Sequence, residues 1–193
     1  MSGCKLTRSL DNKVCEYAVA GARALYLANF YASVEAGESA EAVENAIAYQ
    51  IGEDGYVDKI VLPTGESFYK IEGASNTISF TDALLEGGNG GRYRQHTVNA
   101  VLNQYDIDVL NEGDALSLGR FIAVVIDNAG RPILLGRTGG LKAPAGGFDY
   151  NSGAAEADAT GWTIILQGTS KEIGKILKDE SVITPIYKEV ISD

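Results

Sequence analysis

Hydrophobic positions along this chain fall into short runs, and the clearest lies in its second half. Phe121 to Ile126 are six consecutive apolar residues rich in β-branched types, the pattern of a strand covered on both faces. The run meets Asp127-Asn128-Ala129-Gly130 and resumes at Pro132 to Gly136, which predicts a hairpin. Trp162 to Leu166 forms a third β-rich run. Between them, Thr138 to Gly161 is rich in small residues and longer than a compact fold normally leaves without structure, so a contact loop is expected.

Upstream the pattern alternates. Gly21 to Phe30 sets Ala22, Ala24, Tyr26 and Ala28 against Arg23, Leu25, Leu27 and Asn29, a first strand. Ala36 to Ala48, rich in Glu and Ala with Ser39 as a possible cap, suits a short helix or an acidic loop. Tyr56 to Leu62 and Ser67 to Ile71 flank Pro63-Thr64-Gly65-Glu66, which has hairpin turn chemistry. Asn76 to Thr81 and Arg92 to Leu102 alternate with period two around a glycine loop, Leu85 to Gly91.

Asp106 to Leu118 is the best helix, with Ile107, Leu110, Ala115 and Leu118 expected inward, although Gly113 weakens it by up to about 1 kcal/mol. Ser170 is placed to cap a short late helix carrying Ile173, Ile176 and Leu177 inward, and Val182 to Val190 reads as a closing edge strand broken by Pro185. The expected fold is mainly β: a sandwich or open barrel of about seven to nine strands, with one mid-chain flanking helix and a short C-terminal helix. Residues 1–20 read as an N-terminal arm and 21–193 as a single β-sandwich domain with long loops at 82–91 and 138–160.

Composition narrows the function. With 193 residues and 45% hydrophobic content the chain can build a proper core. Its 26 acidic and 16 basic residues give a net charge of −10, which argues against a grip on nucleic acid. Cys4 and Cys15 match no zinc spacing and read as free thiols of a reducing compartment. No stretch approaches transmembrane length, and the first residues lack a secretory signal, so a soluble protein made in a cytoplasm is expected.

Chemistry-bearing motifs are few. His96 is the only histidine and sits mid-strand, with no Cys or His partner for a metal. Neither glycine cluster, Gly87 to Gly91 or Gly136 to Gly140, fits a phosphate-binding fingerprint. Glu35, Glu38, Glu41 and Glu44, then Glu53, Asp54 and Asp58, fall short of a calcium loop and read as solvated surface. No enzyme, cofactor or metal is expected. Arg120 and Arg137 flank the predicted hairpin, where they either seal sheet ends or dock acidic loops of a neighbouring subunit.

Residues 24–30 (Ala-Leu-Tyr-Leu-Ala-Asn-Phe), 65–72 (Gly-Glu-Ser-Phe-Tyr-Lys-Ile-Glu), 118–128 (Leu-Gly-Arg-Phe-Ile-Ala-Val-Val-Ile-Asp-Asn) and 132–137 (Pro-Ile-Leu-Leu-Gly-Arg) together resemble tail tube proteins of bacteriophages, especially those infecting Bacteroides-like bacteria. Gly139 to Lys142 and Trp162 to Gly168 continue the likeness, which spans roughly Gly21 to Leu177. The resemblance implies a structural virion protein assembled in the host cytoplasm into stacked, commonly hexameric rings. DNA would pass through the lumen without sequence-specific binding, other tail or neck proteins would cap the assembly, and no membrane would be involved.

On that expectation Arg120, Arg137, Phe148 and Tyr150 are inter-subunit contacts, and Glu53, Asp54 and Asp58 are acidic lumen residues. The alternatives are a ring, connector or hub at the neck, and a monomeric adhesin-like module that binds a surface through Tyr93, Phe148 and Tyr150.

Overall fold

The computed structural model describes residues 19–35, 41, 44–74, 76–103, 105–155 and 158–188. Cys4, Cys15, Glu38 and Ser39, with most of the expected arm, lie outside the described residues. The chain is mainly β, with thirteen strands in three open sheets among the described residues. Several of them are only two to four residues long, which is why the hydrophobic pattern marked fewer.

The central sheet, sheet A, holds β1 (Ala22–Asn29), β5 (Phe68–Ile71), β8 (Phe121–Asp127), β9 (Pro132–Leu135), β12 (Lys175–Ile176) and β13 (Tyr187–Lys188), in the order β12-β9-β8-β1-β5-β13. Every residue of β8 is buried, as its unbroken apolar run requires. Odd positions Phe121, Ala123 and Val125 enter one core with Leu25 and Leu27 of β1; even positions Ile122, Val124 and Ile126 enter another with Tyr26 and Phe68. The β8–β9 hairpin forms as its turn residues predict, Gly130 N–H donating to Asp127 O at 2.9 Å with Gly130 at φ +80°.

Each face of sheet A carries another sheet. Sheet B comprises β2 (Ala32–Glu35), β3 (Ala46–Ile51) and β4 (Val57–Val61), and its Ile47, Tyr49, Val57 and Ile60 fill the even-side core. Sheet C runs in the order β10 (Phe148–Asn151), β11 (Gly161–Ser170), β7 (Arg92–Leu102) and β6 (Ser79–Glu86). Its Val98, Ala100, Ile164 and Leu166 fill the odd-side core with Leu116 of helix α1 (Ile107–Leu118). Three layers therefore enclose two cores.

Four local expectations change. The segment expected as a short helix or an acidic loop over 36–48 enters β3 at Ala46, after Asn45 at φ +58°, because Ile47 and Tyr49 gain full burial against sheet A. The turn at Pro63–Glu66 forms, but β4 and β5 do not pair: the chain crosses there from sheet B to sheet A.

Ser170 caps no helix. Its hydroxyl meets Thr138 Oγ1 at 3.0 Å and donates to Glu172 O at 2.9 Å, and β12 follows; Leu177 is buried but Ile173 is exposed. The C-terminal helical residues come later, as two 3-10 turns at Glu180–Val182 and Thr184–Ile186, with Pro185 inside the second, and the closing strand shrinks to β13.

Both expected long loops are largely structured. Residues 82–86 belong to β6, leaving a tight Gly87–Gly91 turn, and within 138–160 Leu141 is buried, Lys142 bridges Gln167 and β10 pairs with β11. Gly168 makes that return possible, since a Cβ there would stand 1.9 Å from Gly140 O.

Candidate assembly surface

Sheet C presents two unlike faces. On its inner side Phe80, Asp82 and Leu84 of β6 stand opposite Val98, His96 and Arg94 of β7. On its outer side Ser79, Thr81, Ala83 and Leu85 stand opposite Asn99, Thr97, Gln95 and Tyr93, followed on β11 by Ile165, Gln167 and Thr169. Across these three strands the outer face carries no charged side chain, in a chain where 22% of residues are charged. At its margin the first charges are Lys142, bridged to Gln167, and Asp149 of β10, opposite Thr163.

Among the described residues β6 ends the sheet, so one rail of its backbone donors and acceptors has no strand beside it. Such margins are normally guarded by Lys, Pro or bulges. Ser79–Glu86 contains neither Lys nor Pro, and it pairs with β7 without a bulge. Its charges are Asp82, which turns inward to Arg94, and Glu86 at its end, while Leu84 between them is 57% exposed.

Asp82 anchors a polar cluster that joins the layers. Its Oδ1 accepts from Arg94 Nε at 2.7 Å, its Oδ2 accepts from Gly174 N–H at 2.9 Å, and His96 Nε2 lies 3.4 Å from Oδ1. Burial pushes the Asp82 carboxyl up, but the Arg94 guanidinium, the Gly174 N–H and His96 together hold it below the usual value. His96 is 1% exposed and its Nδ1 accepts the Gly136 N–H at 3.1 Å, so burial holds its pKa below 6.5 despite Asp82. The solitary histidine is thus a sealed core residue on a strand face, as its mid-strand position suggested.

Arg137 and Arg120 share no partner. Arg137 is buried, donates through Nε and a terminal nitrogen to Glu172 at 2.5 and 2.7 Å, and lies over the Tyr49 ring. The bond to Glu172 raises its pKa. Its fork is therefore used within its own chain, where it fixes the β11–β12 connection. Arg120 is exposed, its guanidinium 5.5 Å from the Phe30 ring centroid.

Phe148 and Tyr150 likewise anchor their loop to their own subunit. Phe148 stacks on Trp162 at 4.6 Å, and Tyr150 meets Tyr105 edge-on at 4.7 Å. Glu53 and Asp54 are exposed in the β3–β4 turn, and Asp58 lies 3.6 Å from Lys178 Nζ. All three acids belong to sheet B, on the side of sheet A away from sheet C.

Helix α1 packs the opposite way from its apolar stripe. Leu116 is its buried residue and Gly113 lies against the Phe148 ring, where a Cβ would come within 3.3 Å. Ile107, Leu110 and Leu118, expected inward, are 64%, 41% and 86% exposed. Among the described residues no group of three or more His, Cys, Asp or Glu is placed to hold a metal, and no helix is long and apolar enough to cross a membrane.

Sequence reasoning missed Asp82, Glu172 and the open β6 margin. The parity of Phe80, Asp82 and Leu84 against Arg94, His96 and Val98 was the available signal, hidden because the hairpin was read as a loop from residue 82. No protein-family model, curated protein or solved structure matches the chain.

Proposed function

We propose that this chain is a structural virion protein that assembles into stacked rings forming a phage tail tube, a conduit for DNA. The open β6 margin of sheet C carries the reading, and the resemblance in the sequence points the same way. Sheet C is antiparallel throughout and four-stranded, so β6 of one copy and β10 of the next run in opposite directions. Head-to-tail joining then extends an alternating antiparallel sheet around a closed ring.

The stagger of the two margins suits closure. Along β7, the middle of β6 is level with Gln95 and His96, and the middle of β10 with Val101 and Leu102. That offset of about six residues is roughly 20 Å, against roughly 19 Å for four strand spacings. Centring β6 on the next β10 therefore tilts the strands by about 45°, close to the tilt of closed barrels.

In such a ring the uncharged outer face of sheet C lines the lumen, because its other face is occupied by the core. Strands β6, β7 and β11 offer that lumen Thr, Ser, Asn, Gln and apolar side chains, with Lys142 only at the margin beside Gln167, so a duplex meets few cations that could hold its phosphates. Glu53, Asp54 and Asp58 then belong to the exterior rather than to the lumen. Arg120 remains free to meet a neighbour, whereas Arg137 does not.

Negative-stain imaging of concentrated purified protein tests this: rings with a central hole, stacking into tubes, are expected. Ala83→Lys, which puts a charge on the exposed margin, should prevent them. Single rings that never stack would favour a connector or hub at the neck. Particles that stay monomeric at every concentration would end the assembly reading and leave the surface-binding module.

A further inference from the structure

We infer that the tip of the β6–β7 hairpin of one copy docks on the exposed apolar stripe of α1 in the next copy, an inference that rests on the ring reading. Three observations converge on it. The first is the stripe itself: Ile107, Leu110 and Leu118 stand exposed on one side of a helix that packs through its other side. A helix pattern with an apolar stripe is built to bury that stripe, and no described residue covers it.

The second is placement. Leu84 is on the same side of sheet C as Phe80 and Asp82, and Phe148 is on the same side as Ile164, which is the core side in both cases. α1 lies on that side against β10, with Gly113 at the Phe148 ring. Centring β6 on the neighbouring β10 brings Leu84 opposite Phe148, so Leu84 emerges beside the helix.

The third is charge. The helix and its cap residue carry Asp106, Asp108, Glu112 and Asp114 with no basic residue. The hairpin tip offers Arg92, which shares the Leu84 side, stands opposite Glu86 and forms no ion pair among the described residues. An exposed leucine beside the Arg92 guanidinium complements an exposed Leu/Ile stripe that has Asp114 between Leu110 and Leu118.

The contact explains why the helix packs through Gly113: the close approach to Phe148 frees the opposite side for a second subunit. Leu110→Glu should raise the concentration needed for assembly by at least about tenfold. Arg92→Glu should do the same, and adding Asp114→Lys should restore assembly.

Mixing settles the geometry. In a background of Cys4→Ser and Cys15→Ser, one variant carries Leu84→Cys and another Leu110→Cys; both positions are exposed, so both variants fold. Oxidation of mixed rings should give a disulfide-linked dimer containing one of each. Rings that form without this disulfide and tolerate Leu110→Glu would overturn the docking while sparing the ring, and would assign the stripe to another protein. A wild-type protein that never associates would overturn both.

Discussion

Strands β8 and β6 are nearly equal in length and opposite in fate. All seven residues of β8 are buried between two cores, whereas none of the eight residues of β6 is fully buried. β8 has strand neighbours on both sides; β6 has one. On the assembly proposed above, the contrast separates what one copy of the chain completes by itself from what it leaves for another. The interior of sheet A is finished, while the margin of sheet C keeps a backbone rail, an exposed leucine and a nearby apolar helix stripe in water.

The contrast can be broken most violently from the inside. Val124→Asp would bury a carboxylate with no partner between sheets A and B. The cost is several kcal/mol, comparable to the whole stability of a typical fold, roughly 5–15 kcal/mol. Far-ultraviolet circular dichroism should show loss of the β signal, and a native spectrum would mean that β8 is not the centre described.

Asp82→Ala comes next, because it strands Arg94 Nε and the Gly174 N–H together. A loss of about 2–3 kcal/mol is expected from the urea midpoint; a loss under about 0.5 kcal/mol would mean the cluster does not join the layers.

Acid should act through the same cluster more gently. His96 has a folded pKa below 6.5, so the unfolded chain takes up its proton first, and stability is complete above that value. As pH falls below 6.5 toward the lowered folded value, stability should decline by at most about 1.4 kcal/mol per pH unit from this one group. Asp82, also lowered, adds a further loss below 3.8. His96→Gln should remove the upper part of the decline, and an unchanged pH profile in that variant would contradict the assignment.

At the margin the expected change in stability is smallest. Leu84→Lys should leave the urea midpoint of the monomer within about 0.5 kcal/mol yet abolish association in sedimentation velocity. A large loss of monomer stability would place Leu84 in the chain's own core.

The same contrast explains what the sequence disclosed. β8 was legible because an unbroken β-branched run has one physical outlet, burial on both faces, and the Asp127–Gly130 turn follows from its own residues. β1 was legible too, its alternation dividing Tyr26 from Leu25 and Leu27 between the two cores. Features set by tertiary partners were hidden. Ser170 looks like a cap until Thr138 claims its hydroxyl, and Ile47 looks helical until sheet A offers it burial.

The α1 stripe was found but assigned inward, because periodicity tells that a face is apolar and not who covers it. Phe148 and Tyr150 are expected at a neighbour, and what they meet in their own chain is Trp162, which only the pairing of β10 with β11 brings opposite them. Asp82 escaped because the Gly87–Gly91 turn concealed how far its strands extend.

Hydrogen exchange followed as a function of protein concentration probes the central claim most directly. Amides of β8 should be equally protected in dilute and concentrated protein, while outward-facing amides of β6 should pass from rapid exchange to at least about tenfold slower exchange as rings form. Amides of β6 that exchange at one rate across the whole concentration range, in protein that does form rings, would contradict closure through sheet C.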